Sequence, residues 1–470
     1  MFLTLVACAE IPVQSPHLNI HKDGYVSNDS GKAIERPAKR HGETAEERVV
    51  KKLIDTISAQ VAHDCSANGT GSSHLMLFVH GGLTSTRGAL KSSAELDRER
   101  VFESRGIRPI YINWNSSLFS SLGDDVFWVR RGVRSPEGAV LAPAVVAWRL
   151  ASGVFNTVPN LYYQLQDEGR FAQRWPMEDP TFGDKLSDGV VGIVHAPFSI
   201  VSTPFFTGFG RGAWDMMKRR IDMMFAVQKA PRRFFKWRRD NKPGVMRTFL
   251  GALRKKRDDW ARQCNESFEL DFVGHSMGAL IGTRILREYP ELKFDRVVFL
   301  APASTAEDFV TTVPVYLDRH VNSKFYSYAL SVIDEANELT LKSFIFPRGS
   351  LLIWVDNFFD PILSPEDYRV GDSFNVPIFK VARQSGPGST CERMRLVNFA
   401  RRKIDREGWP RKHGDLNDAR YLGRLLDLTI KQARELQGAC ENCAVYDPCR
   451  DCFLTPRDEC QPPREAAKPD

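Results

Sequence analysis

The chain has 470 residues, 42% of them apolar and 11% aromatic, which excludes a disordered or low-complexity protein and suffices for a large core. One enlarged domain carrying an insertion is the economical organisation. The formal charge of +7 is modest, and no zinc-finger, basic-zipper or RNP pattern accompanies it, so nucleic acid is not an expected partner.

At the amino terminus Leu5-Val6-Ala7 stand directly before Cys8. This resembles the lipobox of bacterial lipoproteins, where the cysteine is lipidated and becomes the first mature residue. The implied location is the bacterial cell envelope, with membrane anchoring through Cys8; a cytoplasmic protein is the alternative. The stretch departs from the pattern in lacking a basic n-region and in having too short an apolar run. Residues 1–20 are read as this leader, and the polar residues 9–43 as surface chain or an added edge strand.

Thr44-Ala45-Glu46-Glu47 forms a capping box, and Val49, Val50, Leu53, Ile54 and Ile57 continue at helical spacing to about His63. Leu75 to Val79 is a continuous apolar run, as in a strand buried on both faces of a parallel sheet, and it ends in His80-Gly81-Gly82. A polar helix around Gly88 to Ser104 and a second strand, Ile107 to Trp114, complete a βαβ unit. Residues 21–115 are therefore the first part of an α/β core.

Residues 116–262 differ: proline, glycine and aromatics are dense, and two apolar stretches appear, Ala139 to Trp148 and Gly189 to Gly210. The second has 22 residues without a charge, enough to span a bilayer on length, but four glycines, Pro197 and Pro204 argue against a stable spanning helix. A cap over an active site, or a hairpin dipping into lipid, suits it better. Ala213 to Trp237 then alternates Met, Phe and Trp with basic residues such as Lys218, Arg219, Arg232 and Lys236. Arg211 to Arg262 holds 17 Lys/Arg against five Asp/Glu, more than the net charge of the whole chain. An anionic membrane surface is the partner this segment suggests, and solvated helix faces are the alternative.

Residues 263–436 resume the α/β pattern. Phe268 to Tyr289 reads as a strand, a turn Gly274-His275-Ser276-Met277-Gly278, and a helix with Leu280, Ile281, Ile285 and Leu286 on one face. Arg296 to Leu300, Leu351 to Val355 and Met394 to Phe399 read as further strands, and Leu416 to Leu436 as a closing helix. The tail, residues 437–470, holds five of the nine cysteines: Cys440, Cys443, Cys449, Cys452 and Cys460. Disulfides and a zinc site are both open readings, although five residues between the two CxxC pairs is tight for one tetrahedral ion.

A serine with glycine two residues to either side, between strand and helix, is the nucleophile-elbow pattern. The chain thereby resembles the α/β-hydrolase superfamily over about Leu75 to Trp114 and Phe268 to Leu436. That resemblance implies a mostly parallel central sheet flanked by helices with a large cap or lid insertion. It also implies a triad in the order serine, acid, histidine. Only His320 and His413 follow Ser276, and His413 comes after the expected acid loop, so His413 is the expected base. The acid is expected just past the strand ending at Val355: Asp360, in Asp360-Pro361-Ile362-Leu363, with Asp356 the alternative. His80-Gly81-Gly82 resembles the oxyanion loop of the same superfamily, with Gly82 or Leu83 pairing with Met277 as donors. His80 and His275 are expected to shape the loop and pack beside it.

The expected activity is that of a serine hydrolase, an esterase or lipase acting on carboxylic or lipid esters through Ser276, Asp360 and His413, without cofactor or metal. An acyltransferase with the same triad and a non-catalytic binding protein of the same fold are the alternatives.

Overall fold

The computed structural model describes residues 13–30, 32, 34, 44–66, 71–130, 133–134, 137–156, 203–226, 229–232, 236–239, 244–265, 267–330, 334–335, 338, 349–360, 362, 364, 367–371, 390, 393–399, 410–429, 443–447, 452–454 and 460–461. Cys8 and most of the Gly189 to Gly210 stretch lie outside them.

In chain order, β1 (His17–Ile20), α1 (Ala45–Asp64), β2 (Ser73–Val79), α2 (Thr86–Arg98) and β3 (Ile107–Trp114) build the first part of the core. The insertion follows with α3 (Leu118–Gly123), a π-helical turn Asp124–Trp128, the short strands β4 (Val129–Arg130) and β5 (Val133–Arg134), and α4 (Glu137–Phe155). It continues through a second π-turn Phe206–Gly210, α5 (Arg211–Phe225), the hairpin β6 (Lys229–Arg232) and β7 (Lys236–Arg239), and α6 (Val245–Gln263). The chain returns through β8 (Phe268–His275), α7 (Met277–Glu288), β9 (Arg296–Leu300), α8 (Ala306–Arg319) and β10 (Lys324–Leu330). Then come α9 (Leu351–Trp354), a third π-turn Val355–Phe359, β11 (Met394–Phe399), α10 (Ala419–Thr429), β12 (Cys443–Asp447), β13 (Cys452–Leu454) and β14 (Cys460–Gln461).

The fold is α/β, with one sheet in the order β1-β3-β2-β8-β9-β10-β11-β12-β13-β14. The first seven strands in that order are all parallel, and β12 to β14 extend the sheet antiparallel beyond β11. Helices on the faces explain why β2 and β8 read as near-continuous apolar runs: Leu75 to Val79 and Leu270 to Val273 are buried on both sides. The polar stretch before the first helix does contribute an edge strand, β1, which pairs with β3.

The Thr44 capping box starts α1 as expected, Thr44 Oγ1 accepting from Glu47 N and Glu47 Oε2 accepting from Thr44 N. α1 turns Val50, Ile54, Ile57 and Val61 inward and lies against α6, whose buried face is Val245, Phe249, Leu253 and Trp260. Although α6 falls within residues 116–262, it packs into the main core beside β8. A disulfide joins the C-cap residues of the two helices, Cys65 and Cys264, with Cα atoms 4.9 Å apart.

The Leu351 to Val355 stretch is not a strand. Gly349, with φ 114°, turns the chain, Ser350 stands at the N-cap position without a side-chain capping bond, and Leu351 to Phe359 coils as α9 and a π-turn buried under the insertion. A short apolar run fits a strand or a buried helix equally well, so its periodicity could not decide. The strand after β9 is instead Lys324–Leu330, which is rich in aromatics, Phe325, Tyr326 and Tyr328. In the tail, Cys443, Cys452 and Cys460 lie on the added strands, and the question of disulfide or zinc there falls on side chains outside the described residues.

Candidate active site

β8 and α7 meet at Ser276, which sits between them as the helix N-cap with φ 51° and ψ −114°. An L-residue with a side chain rarely holds a positive φ, and such strain persists only where the surroundings over-determine it. Two glycines and the strand beneath do so here. A Cβ on Gly278 would lie 2.3 Å from the Val79 carbonyl oxygen, and one on Gly274 would lie 2.8 Å from Gly278 backbone, so neither position admits a side chain. Ser276 N–H donates to Leu300 O at 2.8 Å, and its carbonyl accepts from Ala303 at 3.1 Å, pinning the turn to the end of β9.

The His80-Gly81-Gly82 loop at the end of β2 lies directly against this turn. A Cβ on Gly81 would meet His275 Nδ1 at 2.5 Å, and one on Gly82 would meet Met277 Sδ at 2.8 Å. Among the described residues, the hydrogen bonds engage neither the Gly82 nor the Met277 N–H. The Leu83 N–H, by contrast, donates to Ser116 O at 3.0 Å, so of the two expected donors it is the one already engaged. Met277 opens a helix whose dipole favours negative charge at that end.

His80 shapes the loop. Its Nδ1–H donates to Gly81 O at 2.7 Å while Nε2 accepts from Trp114 N–H at 3.0 Å, and the ring stacks on the Trp114 indole. Burial lowers its pKa to about 4, so it stays neutral in this double role.

His413 opens a 3-10 turn, His413–Asn417, between β11 and α10, and that turn docks on the serine turn. His275 Nε2–H donates to the His413 carbonyl at 2.9 Å, and the two rings lie 5.0 Å apart. Ser276, His275 and His413 are all buried, with Ser276 only 1% exposed. Among the described residues, the Ser276 hydroxyl and both His413 ring nitrogens have no hydrogen-bond partner. Burial, and next the His275 ring, hold the His413 pKa well below 6.5, so its imidazole is neutral.

Asp360 is placed elsewhere. Its carboxylate accepts from Trp214 Nε1 at 3.2 Å and Lys218 Nζ at 3.0 Å and pairs with Arg369, joining α5 to the π-turn. Burial would raise its pKa, but Arg369 and Lys218 outweigh burial and keep it below the usual carboxylate range. Asp356 accepts from Arg369 N–H at 3.3 Å and forms an ion pair with the same guanidinium at 3.5 Å. Among the described residues, no hydrogen bond joins either aspartate to His413.

Three acids instead follow β10 at its carboxyl end: Asp334, Glu335 and Glu338. Of these, Glu338 lies near the His413 main chain, whose N–H lowers its pKa. Its Oε2 is buried without a partner among the described residues. Burial raises its pKa to about 7, against the lowering by the His413 N–H. Sequence reasoning missed Glu338 because it missed β10; the signal available was an acidic cluster after an aromatic-rich stretch. Among the described residues, no group of three His, Cys, Asp or Glu is placed to hold a metal ion.

Comparison with protein-family models, curated proteins and solved structures found no match to this chain. The arrangement therefore speaks through its chemistry alone. It sets a strained serine at a helix start, a buried neutral imidazole on the neighbouring loop, a carboxyl group near that imidazole's main chain, and two amides, of Gly82 and Met277, without a hydrogen-bond partner among the described residues.

Proposed function

We propose that this chain is a serine hydrolase of the α/β-hydrolase superfamily, an esterase or lipase-like enzyme cleaving carboxylic esters through an acyl-enzyme. The single observation that carries the reading is the positive φ of Ser276 at a strand-to-helix junction with His413 docked beside it. Nothing in the packing of a merely structural turn calls for a serine there; alanine would cost less, since Ser276 Oγ is buried without a partner among the described residues.

In this reading Ser276 Oγ attacks the ester carbonyl carbon while a ring nitrogen of His413 takes the hydroxyl proton. The carbonyl oxygen becomes an oxyanion, received by the Met277 and Gly82 N–H groups. As the intermediate collapses, the C–O bond to the alcohol breaks and His413 returns the proton to the departing oxygen. Water then attacks the acyl-serine with the same base, releasing the acid and restoring the hydroxyl. Glu338, the carboxyl group near the His413 main chain, is proposed in place of Asp360 to stabilise the imidazolium as it forms. This chemistry needs neither cofactor nor metal.

A fluorophosphonate probe should label the wild type at one site and leave Ser276→Ala unlabelled. Nitrophenyl ester turnover should fall on the order of 10⁴-fold in the same variant. Equal turnover by the two proteins would end the hydrolase reading in favour of a binding protein. The burial of Ser276 favours acyl transfer to an alcohol as a second reading, because it limits access of water. Diversion of the acyl group to an added alcohol, at the expense of free acid, separates the two.

A further inference from the structure

The 18 residues Gly138–Phe155 of α4 are long and apolar enough to cross a membrane, yet only 17% of them are buried. A core helix of that composition would be covered. Every exposed position from Ala139 to Phe155 is apolar, among them Val140 at 80%, Trp148 at 68% and Phe155 at 81% exposure. Placed on a helical wheel, these positions sweep an arc of about 200°. Phe119, Phe127 and Phe205 from neighbouring elements add exposed rings.

The polarity of the helix is inverted. Its one cation within that stretch, Arg149, turns inward and binds Asp125 in a two-pronged pair, Nε to Oδ2 at 2.9 Å and an Nη to Oδ1 at 2.6 Å. The inward face is also locked by close approach. A Cβ on Gly153 would lie 1.9 Å from Pro204 O, and one on Gly208 would lie 2.2 Å from Arg149 O. Among the described residues, the apolar arc is thus a built outer surface.

We propose that this surface is seated in the hydrocarbon boundary of a lipid bilayer, with α4 lying in the membrane plane. A protein partner would leave polar groups around the rim of its footprint and would cover one side of the helix. Here the exposed arc exceeds half the circumference and carries no polar residue. Charges turned to the protein and apolar groups turned outward is the arrangement that lipid selects. The α5–α6 stretch following it, with 17 Lys/Arg against five Asp/Glu between Arg211 and Arg262, suits anionic headgroups at the same boundary. A spanning orientation is disfavoured because α4 packs along its length on the two π-turns, and Asp124 in the first pairs with Lys22 and Arg220 of the protein interior.

The test is flotation of the full chain with phosphatidylcholine vesicles, with and without phosphatidylglycerol. Wild type and Ser276→Ala should float alike, more strongly with the anionic lipid, so the result stands apart from the hydrolase reading. Trp148→Glu combined with Val154→Glu should lower partitioning at least tenfold while leaving the melting temperature unchanged, since both side chains are exposed. Brominated lipids should quench a component of tryptophan emission that Trp148→Phe lacks. Wild type remaining unfloated with both vesicle types would overturn the proposal. So would a dimer that the double variant converts to monomer, which would assign the face to a second copy.

Discussion

His275 Nε2–H donates to the main-chain carbonyl of His413 at 2.9 Å, so the residue beside the serine holds the loop that carries the proposed base. The loop is thereby registered on the elbow by a neutral side chain rather than by the reacting groups. His275→Phe keeps the ring and removes the donor. We expect probe labelling of Ser276 to slow about 10- to 100-fold, the scale of a small misplacement of a reacting group, with the melting temperature nearly kept. An unchanged labelling rate would show that the loop is positioned by other contacts.

Glu338 and Asp360 make opposite predictions. Glu338→Gln should cut ester turnover on the order of 10³- to 10⁴-fold, because the imidazolium loses its counter-charge. Asp360→Asn should leave turnover within a few-fold but lower stability, since Lys218 and Arg369 lose the carboxylate they share. Parallel turnover assays and thermal melts read both effects. The reverse pattern would return the acid to Asp360.

Stability should fall in mild acid. Burial takes His80 and His275 from 6.5 down to about 4 and holds His413 well below 6.5. Between those values the unfolded chain binds protons that the folded chain refuses, so stability drops as pH falls from about 6.5 toward 4, by about 1.4 kcal/mol per pH unit for each histidine. Glu338, raised from 4.5 to about 7 by burial, works the other way: its contribution is present at low pH and lost as pH rises through about 7. Three histidines outweigh one carboxyl group. Urea unfolding at pH 7, 6 and 5 should show midpoints descending in that order, and a rising series would contradict neutral, buried imidazoles.

The Cys65–Cys264 bond closes a loop of 199 residues, which spans the whole insertion. Chain-entropy reasoning assigns such a closure about 5 kcal/mol. Dithiothreitol, or Cys65→Ser, should lower the melting temperature markedly, with Cys264→Ser indistinguishable from Cys65→Ser. Identical melts with and without reductant would show that helix packing alone holds α1 to α6. A persistent disulfide also fits an oxidising compartment better than a reducing one.

Local patterns made much of the site legible. The capping box at Thr44, the run from Leu75 into His80-Gly81-Gly82 and the turn around Ser276 each announce their geometry within a few residues. Two features resisted. Leu351 to Val355 is apolar and short, so nothing in its spacing separates a strand from the buried coil it forms. Read as a strand, that stretch puts the expected acid past β10, at Asp360. The pairing of Cys65 with Cys264 depends on α1 and α6 lying side by side, a relation between distant segments that spacing cannot convey.

The three antiparallel strands beyond β11 shield what would otherwise be an open flank of the sheet. Met394 to Phe399 pairs with β10 on one side and with Cys443 to Asp447 on the other. Stripped of that second neighbour, its free amides and carbonyls would template pairing with another molecule. A shortened version ending before Cys443 should keep Ser276 and His413 yet self-associate into insoluble material, an outcome that would make the cysteine-rich extension a guard of solubility whatever state its cysteines are in.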